Sequence, residues 1–251
     1  MMDFDQLVAP IGRESFFENY GKGSCILMRG EKNRFADLIS LDDIELRLND
    51  GCNTVSPIQI ISEGQRISLV EEEVAWAPFA IKKAELLQKL RDRHSFMMMN
   101  MSQINPQVAH LVDSIEVVFA ADDMRADMHL YVSSRADATG YDAHRDYPQH
   151  KLYLQVVGST HWQVFEPAVE IPSEVRAVPQ ESEQQQLRLL QEFDMKPGDV
   201  FYMPPAVFHK VRNMEGPRIS LSIPFAKVSK EKISRMDRTY IPFKEIFEAD
   251  S

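Results

Sequence analysis

Residues 141–155 read YDAHRDYPQHKLYLQ, a polar loop that runs into a strand and carries a histidine and an aspartate close together. His144 and Asp146 stand one residue apart, just ahead of KLYLQVVG (151–158), an alternating, β-rich run that reads as a strand. Side chains at i and i+2 of an extended chain point to the same side, so an imidazole and a carboxylate face one pocket. A third donor is available in KPGDVFYMPPAVFHKVRN (196–213). There Pro197-Gly198-Asp199 turns tightly into a strand, Pro204-Pro205 ends it, and His209 opens the next segment. Two histidines and one carboxylate on one face, with coordination positions left open, suit Fe(II) and oxygen chemistry. An isolated HxD equally fits a loop with a capping aspartate and a half-buried histidine. The combination with PGD-(x)₄-PP-(x)₃-H carries the weight.

Outward from this stretch, the chain after about residue 126 is a series of short β-rich runs. MHLYVSS, KLYLQVVG, HWQVFEP, DVFYMPP, HKVRN and RISLSIPF are separated by Gly, Pro and polar clusters, the pattern of an antiparallel sandwich or barrel. Between them, SEVRAVPQESEQQQLRLLQEF (173–193) reads as a polar surface excursion ending in a short helix. The first 125 residues read mostly as helix. GRESFFENYGKG (12–23) carries Phe16, Phe17 and Tyr20 at helical spacing, and RFADLISLDDIELRLND (34–50) has an N-cap at Ser40. AIKKAELLQKLRDRH (80–94) and NPQVAHLVDSIEVVFA (105–120) are amphipathic helices. SCILMRG (24–30) is a short strand, and SPIQIISEGQRISLV (56–70) is two strands around a Glu-Gly turn. Residues 227–251 form a tail with helical character. The expected architecture is one domain over 1–251, mainly β with α, a helical layer (1–125) packed on a small β-barrel (126–226).

Composition sets outer limits. The 251 residues carry a net charge of −10 with 44% hydrophobic and 26% charged residues, an ordinary globular balance. An acidic chain is a poor general nucleic-acid binder, because phosphate contacts need a basic surface. No apolar run reaches the roughly 20 residues that cross a bilayer, so no membrane association is expected. Two cysteines, Cys25 and Cys52, with no CxxC pair and no signal-like N-terminus, point to a reducing cytoplasm. P-loop, dinucleotide-binding, GxSxG and zinc CxxC signatures are absent from the sequence.

Five blocks in order extend the motif. They are FFENYGKGSCILMRGEKNRFADLISLDDIELRL, MHLYVSS, HRD, LYLQVVGSTHWQVFEP and GDVFYMPPAVFHKV, followed by RISLSIPF. Together they span residues 16–225 and resemble the cupin-type JmjC oxygenases, in particular their ribosomal-oxygenase-like branch. The resemblance implies a double-stranded β-helix of the cupin or jelly-roll kind. It implies Fe(II) held by His144, Asp146 and His209, 2-oxoglutarate as cosubstrate and O₂ as oxidant. The expected activity is a dioxygenase (hydroxylase) reaction, in which the cosubstrate is decarboxylated and a C–H bond is hydroxylated.

Two departures from the family pattern are visible. Members carry Lys or Arg two residues after the glycine that follows the HxD strand, to pair with the distal carboxylate of 2-oxoglutarate; here that position is Thr160, after Gly158. A buried carboxylate needs a cationic or multiply hydrogen-bonded partner. Lys151, on one face with Tyr153 and Gln155, is one replacement, and Arg218, in an Arg-x-Ser with Ser220 nine residues after His209, is the other. Arginine forks onto carboxylates, which favours Arg218. The second departure is length. The residues after IPF are too few for the C-terminal dimerisation and winged-helix region of the ribosomal-oxygenase relatives. That tilts the expected substrate toward a small molecule or peptide, with a protein side chain still open, and leaves a homodimer open too.

Other candidates fit two readings each. His129 is either a polar pocket residue near the cosubstrate or a satisfied core histidine. Tyr141 stands just upstream of the triad, where the family places a residue facing the cosubstrate, and Tyr131 and Tyr153 are further pocket candidates. His150 and His161 are not needed as ligands, and Trp162 reads as core. FMMMNM (96–101) fits core packing or an adaptable substrate-facing surface. Thr160 also leaves open a metal-dependent cupin dioxygenase or isomerase that works without 2-oxoglutarate, or a non-catalytic metal-binding cupin.

Overall fold

The computed structural model describes residues 1–49, 58–62, 65–68, 70–71, 80–81, 83–92, 94–103, 105–136 and 141–228. Its strands are β1 (Ile26–Met28), β2 (Gln59–Ser62), β3 (Gln65–Ser68), β4 (Val70–Glu71), β5 (Ala80–Ile81), β6 (Ser95–Met98), β7 (Met124–Ala126) and β8 (His129–Ser133). They continue as β9 (Ala143–Arg145), β10 (His150–Val157), β11 (Thr160–Pro167), β12 (Ala177–Val178), β13 (Leu187–Met195), β14 (Val200–Met203), β15 (Phe208–Asn213) and β16 (Arg218–Lys227). The helices are α1 (Phe4–Val8), α2 (Arg13–Gly21), α3 (Leu41–Asn49), α4 (Lys83–Arg91), α5 (Pro106–Val118) and α6 (Glu183–Gln186).

Two antiparallel sheets form the body. The larger runs β1-β14-β10-β16-β8-β6-β2-β3, with β7 also on β16; the smaller runs β12-β9-β15-β11-β13. β4 and β5 form a separate ribbon. This is the double-stranded β-helix expected from the sequence.

β10 shows how the sequence builds three layers. Its even-numbered leucines, Leu152 and Leu154, join one buried cluster with Phe4, Phe16, Leu111 and Ile115 of the helices. Its odd-numbered Tyr153 joins a second cluster with Trp162, Val164, Met195, Phe201 and Met203, between the two sheets. Period-2 alternation therefore faces one side of the strand to the helices and the other to the barrel interior. Each fully buried Phe or Leu contributes about 1.5–3 kcal/mol relative to exposure. Phe4, Phe16, Phe119 and Tyr20 add edge-on and tilted ring contacts at 5.2–5.9 Å.

Helix starts follow their capping residues. Asp43 N–H donates to Ser40 Oγ at 3.1 Å while Asp43 Oδ2 accepts from Ser40 N–H at 2.8 Å, which closes a reciprocal cap on α3. Asn105 Oδ1 accepts from Gln107 N–H at 2.8 Å, with Pro106 at the first turn of α5.

Two segments depart from the sequence reading. SFMM (95–98) is strand β6, a strand the sequence reading does not assign, with Met97 and Met98 buried, so of the two readings of these methionines packing holds. It joins β2 and β3 in extending the larger sheet, so the N-terminal part is not only a helical cover. LRLLQEFDM is a nine-residue strand, β13, preceded by the short helix α6, rather than the end of a polar excursion. As an edge strand it leaves Leu189 and Leu190 exposed, so no clean alternation announces it. The expected Glu-Gly turn and the helical tail at 229–251 lie outside the described residues.

The PGD turn locks the N-terminal β1 to the barrel. Asp199, 3% exposed, accepts from Arg29 Nη1 at 2.6 Å, Gly30 N–H at 3.2 Å and Lys196 N–H at 2.9 Å. Gly198 has φ +97°, and a Cβ there would meet Glu31 O at 2.0 Å, so only glycine fits. Asp199→Ala removes the acceptor shared by the part-buried Gly30 and Lys196 N–H groups and should cost about 1–3 kcal/mol, read as a lower urea midpoint with an unchanged slope.

Candidate metal centre

The pairing of β9 with β15 sets His144 directly opposite His209. Their ring centroids lie 4.3 Å apart, and one ligand atom each from His144, Asp146 and His209 falls within 4.8 Å of the others. The turn before β15 is tied to the same place, since Ala206 N–H donates to Asp146 O at 2.8 Å. The three residues are thus collected by register and one turn, across 65 residues of chain.

The donors are oriented for a metal. His144 Nδ1 lies 2.8 Å from Asp142 O and His209 Nδ1 lies 3.3 Å from Val207 O. A carbonyl only accepts, so each Nδ1 carries the proton and each Nε2 keeps its lone pair. Trp162 stacks on the His209 ring at 5.7 Å and 13°, and Tyr153 Oη sits 3.3 Å from His209 Nε2. Burial and the neighbouring His144 push His209 down to about 3, so it is the neutral imidazole a metal requires. Burial works to raise the Asp146 carboxyl, yet Lys151 with His209 and His144 holds it well below the usual carboxylate range. A neutral His209 imidazole and the His144 ring beside an ionised carboxylate fit a divalent ion of the Fe(II) kind.

The depressed His209 has a pH signature. The unfolded chain binds a proton near pH 6.5 that the folded, metal-free chain refuses until about 3, so stability falls as pH drops through that window. The slope approaches about 1.4 kcal/mol per pH unit. Buried His150 acts in the same direction and His161, raised chiefly by its bond to Asp194, in the opposite one. Urea titrations of chelator-treated protein at pH 6.5 and 5, wild type against His209→Leu, isolate the term; the variant should show the smaller loss.

The triad opens into a cavity lined by Tyr131, Tyr141, Lys151, Trp162 and Arg218, among others. The two candidate cations differ in what they face. Lys151 Nζ lies 2.6 Å from Asp146 Oδ2, with the side chain 5% exposed. Arg218 donates from Nε to Ser220 Oγ at 2.9 Å and from Nη1 to Asn213 Oδ1 at 2.9 Å, and lies 5.8 Å from the Tyr131 ring centre. Among the described residues no carboxylate pairs with Arg218. Burial lowers it to about 10, so it stays a cation at neutral pH.

Thr160 is a strut in the network that holds this arginine. Its hydroxyl donates to Gln155 Oε1 at 3.1 Å and accepts from Trp162 Nε1 at 3.0 Å. Ser220 Oγ donates to the same Gln155 oxygen at 2.8 Å. The sequence reading sets Gln155 on the face of Lys151 and Tyr153 without giving it a role, and Asn213 escapes it although period 2 sets that residue with His209 and Val211. Tyr141 stands edge-on to His144 at 5.1 Å. His129 lies on β8 opposite Ser222, outside the residues that line the cavity. His150 stacks on Phe225 and Tyr20, and His161 binds Asp194 and Glu192, so neither joins the triad.

Two histidines and a carboxylate that could hold a metal ion are set in a double-stranded β-helix, a cupin-type fold. A family model described as JmjC domain matches residues 97–233, more than half of the chain, and the chain belongs to the JmjC domain family. Ribosomal oxygenase 2 of Bos taurus is 22% identical over 218 residues, covering 85% of this chain and 45% of that protein. Its Mus musculus counterpart is 21% identical over 224 residues, covering 88% and 46%. The chain therefore spans under half the length of these relatives. Escherichia coli YcfD, a ribosomal oxygenase, solved in complex with cobalt and 2-oxoglutarate, matches with TM-score 0.59 and 15% identity over 88% of this chain and 53% of that one. A second YcfD structure gives 0.62 and 15%, over 92% and 60%. These likenesses show the shared fold. No helix among the described residues is long and apolar enough to cross a membrane.

Proposed function

We propose that this chain is an Fe(II)- and 2-oxoglutarate-dependent oxygenase that hydroxylates a C–H bond of a small molecule, peptide or protein side chain. The observation that carries the reading is one cavity lined by His144, His209 and Arg218, with Asp146 completing the donor set beside the two histidines and Arg218 a cation with no carboxylate partner among the described residues. His144, Asp146 and His209 would hold iron, which supplies oxygen activation when bound. Trp162 and Tyr153 fix the His209 ring. Arg218, positioned by Ser220 and Asn213, would pair with the distal carboxylate of 2-oxoglutarate, the part Thr160 cannot play. Tyr131, Tyr141, Ile61 and Val211 provide a largely apolar wall that limits water around the reacting atoms.

The test is anaerobic. Adding 2-oxoglutarate to the Fe(II)-loaded chain should produce a new charge-transfer absorption, because chelation of the metal changes its ligand field. Iron binding without any spectral response to 2-oxoglutarate would favour a metal-dependent cupin that works without this cosubstrate.

A further inference from the structure

The ammonium of Lys151 occupies the carboxylate that the metal needs. Its Nζ lies 2.6 Å from Asp146 Oδ2, the oxygen that also accepts from Tyr153 Oη at 3.2 Å and lies 3.7 Å from His209 Nε2. That oxygen therefore faces the space between the donors. The Lys151 side chain is 5% exposed and enters from β10, whose inward face it shares with Tyr153 and Gln155. A divalent ion arriving at Asp146 meets a buried monovalent cation on the same oxygen. Like charges at such separations repel strongly where water is excluded.

We propose that Lys151 is a positioning residue that competes with the divalent metal for Asp146 and so sets the metal affinity of the site. This rests on the metal reading above. In the metal-free chain Lys151 neutralises a half-buried carboxylate that would otherwise keep only the Tyr153 hydroxyl as a donor to the same oxygen. Metal entry displaces the ammonium from Oδ2 into the cavity, and the cost of that displacement is subtracted from the binding free energy. The same residue thus stabilises the empty site and weakens the filled one. A residue that merely supports its ligand would have the opposite effect on affinity, since loss of an orienting partner around a metal ligand typically weakens binding about 10- to 100-fold.

The experiment is Mn(II) titration of chelator-treated wild type, Lys151→Met and Lys151→Arg by calorimetry, with Co(II) absorption as a second readout and thermal melts as the folding check. Lys151→Met should bind Mn(II) tighter than wild type, against the weakening expected of a lost supporting partner. Lys151→Arg, which keeps the cation, should stay near the wild-type value. In melts, Lys151→Met should be less stable than wild type without metal and gain more from Mn(II). Equal or weaker Mn(II) binding by folded Lys151→Met overturns the competition. If Lys151→Met does not fold, Lys151→Gln replaces it under the same expectation. Folded wild type and variants that all fail to bind Mn(II) or Co(II) would overturn the metal reading itself, an outcome distinct from unchanged affinity.

Discussion

Replacing His209 with Ala should abolish stable metal binding, lowering Mn(II) affinity by well over the roughly 100-fold that losing an outer partner costs. His209 is 2% exposed and arrives on β15, whose pairing with β9 places it opposite His144. Without it, one imidazole and one carboxylate remain, and the carboxylate is already engaged by Lys151. The change also removes the ring that stacks on Trp162, so the barrel loses packing as well as a donor. His209→Gln keeps more of the volume and separates the two effects. Both variants should fail to bind Mn(II) in calorimetry, and the glutamine variant should melt closer to wild type. A folded variant that keeps full Mn(II) affinity would show that His209 is not a ligand.

Arg218→Met should raise the 2-oxoglutarate concentration for half-saturation by orders of magnitude and leave Mn(II) affinity within a few-fold. Truncating one partner of a buried, hydrogen-bonded charge pair costs about 2–5 kcal/mol, which corresponds to roughly 30- to several thousand-fold. Arg218→Lys should fall between, because an ammonium cannot reproduce the planar fork. The pH profile follows from the arginine being lowered to about 10: cosubstrate affinity should be flat through neutral pH and fall as pH rises through that value. Competition titrations on the Mn(II)-loaded chain measure all three. If Lys151→Met and not Arg218→Met raises half-saturation, the anchor is misassigned.

The candidate donor set that the fold brings together was legible because period 2 and a turn suffice to read it. HxD ahead of a strand shows two donors on one face, and PGD with PP brackets a strand, β14, whose end hands the chain to β15 and the third donor, His209. The anchor was legible only as a choice of two. Sequence spacing places Lys151 and Arg218 on inward faces, but only the fold reveals that one ammonium lies on Asp146 while the guanidinium meets hydroxyl and amide oxygens. Thr160 read as a missing charge; its role as a strut depends on Trp162 and Gln155 meeting it, a fact of cross-strand geometry. β13 was hidden for a different reason. An edge strand with polar residues facing solvent has the composition of a loop, and its pairing to β11 is what makes it a strand. β6 was masked by its methionines, whose flexible side chains carry little strand preference.

Aerobic turnover of 2-oxoglutarate by the Fe(II)-loaded chain, with succinate and CO₂ measured together, decides whether the chain is an oxygenase of this kind. Slow release of both in equal amounts without added substrate, lost in His209→Ala and recovered in Arg218→Met only at much higher 2-oxoglutarate, is the predicted result. A folded, iron-loaded wild-type chain that releases neither, at saturating 2-oxoglutarate and with no spectral change on its addition, would contradict it.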